Sequence, residues 1–145
     1  MSSESTFDRI CEVSMMRELP QVLRDRVASI IEDISKLRKV PKGAVILREM
    51  EGGADKGYIL LEGAVGILKT DAPKHRCPAP ELLGEIMQFN PAHVRTATVG
   101  AVEDCLVLKF EWETFWAALG AESTSEEVAK VRSALEERAW VHFAE

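Results

Sequence analysis

Glu85 and Arg95, a carboxylate and a guanidinium, stand ten residues apart in the segment 82–99, and the residues around them suit an anion site. A short loop that opens a helical turn after Gly84 points free backbone N–H groups outward, and with the helix dipole these favour an anion. Arg95 supplies a planar fork that meets a phosphate with two parallel hydrogen bonds. Glu85, when ionised, only accepts, so it can take a hydrogen bond donated by a sugar hydroxyl. A pair of opposite charges around such a turn suits a ligand with a phosphate next to a ribose. The plainer alternative is that Glu85 and Arg95 pair with each other and hold the loop, and residue types alone leave both open.

Other chemistry is thin. His75, Arg76 and Cys77 are consecutive, but one His and one Cys fall two ligands short of a closed zinc site, so the reading is an exposed loop. His93 precedes Arg95 by two positions and reads as a solvated loop histidine; His142 falls on the last helix. Trp112, Phe115 and Trp116 recur at helical spacing and read as core anchors rather than a platform for stacking bases. No Ser/His/Asp or Cys/His grouping has a nucleophile's context, and Glu136 with Glu137 are helix-surface neighbours. No enzyme, metal or cofactor is expected.

Composition narrows the classes further. The 145 residues suit one domain that folds without disulfide or metal staples. Cys11, Cys77 and Cys105 are odd in number and far apart; they read as reduced thiols, two of them buried. A net charge of −6 offers no footprint for a phosphodiester backbone, so no nucleic acid is expected. No apolar run reaches the roughly 20 residues of a membrane span, and Met-Ser-Ser-Glu-Ser-Thr lacks a signal peptide's layout. The expectation is a cytoplasmic protein with no membrane partner.

The elements that must position these residues read as helix, strands, helix. Residues 7–16 form a short, weakly amphipathic segment, and Pro20 suits a first helical turn. Leu23, Val27, Ile30, Ile31 and Ile34 then make one apolar stripe on a helix of about four turns. Short β-type runs follow: Lys39-Val40, Val45-Ile46-Leu47, Tyr58-Ile59-Leu60-Leu61, Val65-Gly66-Ile67-Leu68, Thr96-Ala97-Thr98-Val99 and Leu106-Val107-Leu108. Gly and Pro separate them, as in a small sandwich or barrel. The proline-rich stretch 71–80 predicts that any strand there is truncated or lost. Residues 112–119 are compact and apolar, Gly120 is expected to stop that helix, and Ser123 with Glu126 has capping-box spacing for a last helix to about Phe143.

The run Gly84-Glu85, Arg95-Thr96-Ala97-Thr98-Val99, then Asp104-Cys105 leading to Phe115 resembles the phosphate-binding cassette of the cyclic-nucleotide-binding superfamily. That superfamily includes the bacterial catabolite activator, kinase regulatory subunits and cyclic-nucleotide-gated channels. Upstream, Pro41-Lys42-Gly43-Ala44-Val45-Ile46 and Tyr58-Ile59-Leu60-Leu61-Glu62-Gly63-Ala64-Val65 are similar to the family's glycine-turn signatures, in the same order. The resemblance implies a mainly β fold, an antiparallel β-roll (a jelly-roll-like double-stranded β-helix) with helices before and after it. It divides one domain into a helical segment 1–36, a roll 37–110 holding the cassette 82–99, and C-terminal helices 111–145. It implies cyclic AMP or cyclic GMP as ligand: Glu85 on the ribose 2′-hydroxyl, Arg95 on the cyclic phosphate, and Thr96 with the N–H groups near Ile86 and Met87 on the remaining oxygens. Where the family has a small residue beside the phosphate this chain has Met87, followed by Gln88 in place of an apolar residue, and the usual Gly-Asp ahead of Gly-Glu is absent.

Two functions fit: a stand-alone regulatory module that senses a cyclic nucleotide, and a degenerate roll serving as a scaffold or protein-interaction module. Without a basic recognition helix, a DNA-binding regulator of the catabolite-activator type is not expected. Val128, Val131, Leu135 and Ala139 form a stripe on the last helix, which can pack on the roll or on a second copy in a homodimer. The downstream protein partner has no sequence signature.

Overall fold

The computed structural model describes residues 5–47, 56–68, 75–83 and 98–144. The chain opens with helix α1 (Thr6–Cys11), whose N-terminus is closed by a capping box between Ser5 and Asp8. A 3-10 helix (Ser14–Glu18) follows, then helix α2 (Gln21–Ile34) with Pro20 as its N-cap, one position earlier than expected. The α2 stripe is as its spacing requires. Leu23, Val27, Ile30 and Ile31 are buried and Ile34 packs beside them, while Arg24, Asp25 and Arg26 between them are half-buried.

Eight strands build the roll: β1 (Lys36–Val40), β2 (Val45–Leu47), β3 (Lys56–Glu62), β4 (Ala64–Leu68), β5 (His75–Pro78), β6 (Glu81–Leu83), β7 (Thr98–Ala101) and β8 (Cys105–Glu111). They pair antiparallel in two four-stranded sheets, ordered β1-β8-β3-β6 and β2-β7-β4-β5. In the first sheet β3, β6 and β8 are buried on both faces, which explains why these three strands are almost continuously apolar, whereas the edge strand β1 is largely exposed. Ile59, Leu82, Leu108 and Phe110 face the helices, whereas Leu60, Leu83, Cys105 and Val107 face the second sheet. Full burial of one such aliphatic side chain contributes roughly 1.5–3 kcal/mol.

Of two short strands, one is truncated as the proline-rich stretch predicts and the other lies outside the sequence expectation. The proline-rich stretch keeps a strand, β5, shortened to four residues and placed at a sheet edge, where a proline without an N–H is tolerated. His75, Arg76 and Cys77 thus belong to a strand rather than a loop; Cys77 is buried in the inter-sheet core and Arg76 pairs with Glu103 outside it at 2.9 Å. β6 was not anticipated at all.

Helix α3 (Trp112–Glu122) continues through Gly120, an exposed position where an added Cβ would meet nothing within 4 Å. Its start carries the aromatic anchors: Trp112 and Phe115 are buried, with ring centroids 5.6 Å apart in a T-shaped arrangement. Helix α4 (Ser125–Ala144) is capped one residue later than expected, by Thr124 and Glu127. Both adjacent Ser/Thr-x-x-Glu registers fit the motif, and Arg26 decides between them. Its guanidinium donates to Ser123 Oγ and to Glu127 Oε1, each at 3.0 Å, which engages Ser123 elsewhere. The Thr124 N–H, then Arg26, hold the Glu127 carboxyl below its ordinary pKa. Val131, Ala134 and Leu135 are buried within the chain and Val128 packs beside them. Of the two coverings open to the α4 stripe, the described residues take the one inside the protomer; the Ala139 side chain lies outside them.

Candidate functional site

The residues assigned to a ligand, Gly84, Glu85, Ile86, Met87, Arg95 and Thr96, together with Gln88 and His93, lie in 84–97, outside the described residues. The structure describes the frame that holds this segment. β6 ends at Leu83, directly before Gly84, and β7 begins at Thr98, directly after Ala97. β6 is the outer strand of one sheet and β7 an inner strand of the other. The last described residue before this segment, Leu83, and the strand after it, β7, thus belong to different layers of the roll, and Leu83 and Val99 are anchored in the same inter-sheet core. Alternation within β6 turns Leu82 toward the helical layer, so this three-residue strand is gripped on both faces.

Glu81, which opens β6, was missed by sequence reasoning. It is only 8% exposed, and its two carboxylate oxygens each accept from Ser14 Oγ at 3.1 Å. The Leu82 N–H donates to Oε1 at 2.9 Å. The strand entering the cassette is thereby tied to the 3-10 helix, whose Met15 and Met16 share a core with Val131 and Leu135 of α4. Nothing in the run Glu-Leu-Leu marks the acid as buried, because its partner lies 67 positions away. Ser14→Ala is expected to lower stability by about 1–3 kcal/mol, the cost of leaving part of a buried carboxylate unsatisfied. A urea-unfolding midpoint equal to wild type would contradict it.

Cys11 and Cys105 are held in the unreactive thiol form. Burial, followed by the nearby carboxylates Asp25 and Asp8, raises the Cys11 thiol above its ordinary pKa. Burial likewise raises Cys105, which donates to the Ala64 and Glu103 carbonyl oxygens at 3.2 Å. Both remain thiols at neutral pH, the unreactive form. Among the described residues no group of three or more His, Cys, Asp or Glu could hold a metal ion, and no helix is long and apolar enough to cross a membrane. An open groove lined by Lys39, Pro41, Glu62, Asp104 and Leu106 lies at the end of β1.

With this frame established, the family model of the cyclic nucleotide-binding domain matches residues 37–122. No curated protein matches the chain. Among solved structures, the sensor domain of the transcriptional regulator DNR from Pseudomonas aeruginosa is similar at TM-score 0.66 and 20% identity, covering 94% of this chain and 91% of that one. The regulatory domain of Toxoplasma gondii PKA, in a co-crystal with cAMP, is similar at TM-score 0.67 and 23% identity, covering 92% of this chain and 48% of the other. The regulatory subunit of a cAMP-independent protein kinase A from Trypanosoma brucei gives TM-score 0.69 at 19% identity, covering 91% and 43%. The chain thus spans about half or less of these two kinase regulatory chains.

Proposed function

This chain belongs to the cyclic nucleotide-binding domain family and carries its β-roll, and from that premise we propose that it is a non-catalytic sensing module for a cyclic purine nucleotide. The observation that carries the reading is the span of the family match, 37–122, which encloses the whole segment 84–97 and both strands that frame it. In this reading Arg95 and the N–H groups near Ile86 and Met87 take the cyclic phosphate, with Thr96 beside them, and Glu85 takes the ribose hydroxyl. Occupancy biases α4 through β6, because Glu81 is bonded to the 3-10 helix that packs on α4. The cAMP co-crystal of the T. gondii relative supports cyclic AMP as the first ligand to test; Thr96 is compatible with cyclic GMP as well.

The test is a calorimetric titration with cyclic AMP, cyclic GMP and inorganic phosphate. The expected result is saturable one-to-one binding of a cyclic nucleotide and no heat from phosphate. Flat titrations with both nucleotides would reject the reading. They would leave the second one, a roll kept as a scaffold without a ligand. That alternative is favoured by the likeness to a kinase subunit described as cAMP-independent and by the sequence, which has Met87 at the position where the family pattern has a small residue.

A further inference from the structure

The first sheet ends on an open edge of unusual composition. β1 pairs only with β8, so one side of its backbone has no strand beside it among the described residues. Lys36, Leu37, Arg38 and Lys39 are all exposed, Leu37 by 55%, although a strand at the side of a sandwich usually buries one face. Among the described residues none of Lys36, Arg38, Lys39 and the following Lys42 is in an ion pair. Lys109 stands opposite Lys36 on β8 and adds a fifth cation. This basic edge belongs to a chain of net charge −6.

We infer that β1 is a docking edge for an extended acidic peptide segment, which adds to the first sheet as a further antiparallel strand. Main-chain hydrogen bonds along the open edge supply the attachment and side-chain pairs across it supply the choice of partner. Alternation sets the pattern. Lys36 and Arg38 share one face of β1 and Leu37 and Lys39 the other. An antiparallel strand laid against Lys39, Arg38, Leu37 and Lys36 in turn is complementary when it reads acidic, acidic, apolar, acidic. A second copy of β1 is the wrong occupant, since symmetric antiparallel pairing about Arg38 sets that guanidinium against itself, and like charges directly opposite are destabilising. The lysines that keep β1 from pairing with itself are the same groups that select an acidic strand.

The test uses the whole chain and a ten-residue peptide with a Glu-Glu-Val-Glu core. Fluorescence anisotropy measures affinity, and amide chemical shifts locate the contact. The expected result is saturable micromolar binding with shifts centred on residues 36–40. It weakens at least tenfold in Arg38→Glu and in Lys36→Glu, and at least tenfold when two adjacent peptide amides are N-methylated, because one of the two must face the edge. A Lys-Lys-Val-Lys core does not bind. Both variants change exposed side chains, and their thermal midpoints verify that the fold is kept. Equal affinity for the lysine core, indifference to N-methylation, or shifts confined to another surface would overturn the assignment. So would sedimentation showing that the edge is occupied by a second copy, or binding of phosphatidylserine vesicles without binding of the peptide, which would make the basic edge a lipid contact.

Discussion

Arg95→Leu is expected to weaken cyclic-nucleotide binding by at least about a hundredfold while leaving the melting temperature of the free protein nearly unchanged. Two charge-assisted hydrogen bonds from one guanidinium to a phosphate contribute roughly 1.5–3 kcal/mol each. Their joint loss is about 3–6 kcal/mol, and every 1.4 kcal/mol is about tenfold in affinity. A guanidinium reaching a solvent-accessible pocket contributes little to folding, so the free protein melts as before. If Arg95 were instead the buried partner of Glu85, the substitution would strand a carboxylate at a cost of about 3–5 kcal/mol. For a domain of this size that lowers the midpoint by roughly 2–4 °C per kcal/mol, or about 10 °C in all. Calorimetry with ligand and scanning fluorimetry without it separate the two arrangements. Undiminished binding together with an unchanged melt would exclude both roles.

Gly63→Ala is expected to destabilise the roll by about 2–6 kcal/mol, the sum of roughly 1–3 for backbone strain and 1–3 for overpacking. Gly63 turns β3 into β4 with φ at 93°, where an L side chain is strained. The space is closed as well. An added Cβ would sit 2.5 Å from the Asp104 carbonyl oxygen and 2.9 Å from Cys105 Sγ. The first contact is to backbone, so it cannot be relieved by a rotamer change. Relief would have to shift the start of β8, where Cys105 bonds Ala64 and Val107 is in the inter-sheet core. Gly120→Ala supplies the contrast. That glycine lies in α3 facing open space, and alanine there should stabilise by about 0.5–1 kcal/mol. Urea unfolding of the two variants should move in opposite directions, and a Gly63→Ala midpoint at or above wild type would remove the turn from the features that hold the roll.

The sequence by itself determined those parts whose physical causes are local. The apolar stripe of α2 is visible because residues three and four apart share a helix face, and burial follows it from Leu23 to Ile31. The glycine turns at Gly43 and Gly63 are visible because only glycine sits comfortably at the positive φ found at both. Gly84, Glu85 and Arg95 are legible as candidate chemistry alone, since charge and hydrogen-bonding capacity belong to the residue type, and their placement lies outside the described residues. Tertiary structure decided what depends on a distant partner. β5 and β6 are four and three residues long, too short to show a period of their own, and they exist because β4 and β3 present edges to them. The register of the α4 cap was set by Arg26, about a hundred positions upstream, which occupies Ser123 and leaves Thr124 to the helix. The burial of Glu81 follows from Ser14 on a different layer. A hydrogen bond or a core contact between residues far apart leaves no periodicity in the chain, so only the folded arrangement reveals which of several equally good local signals is used.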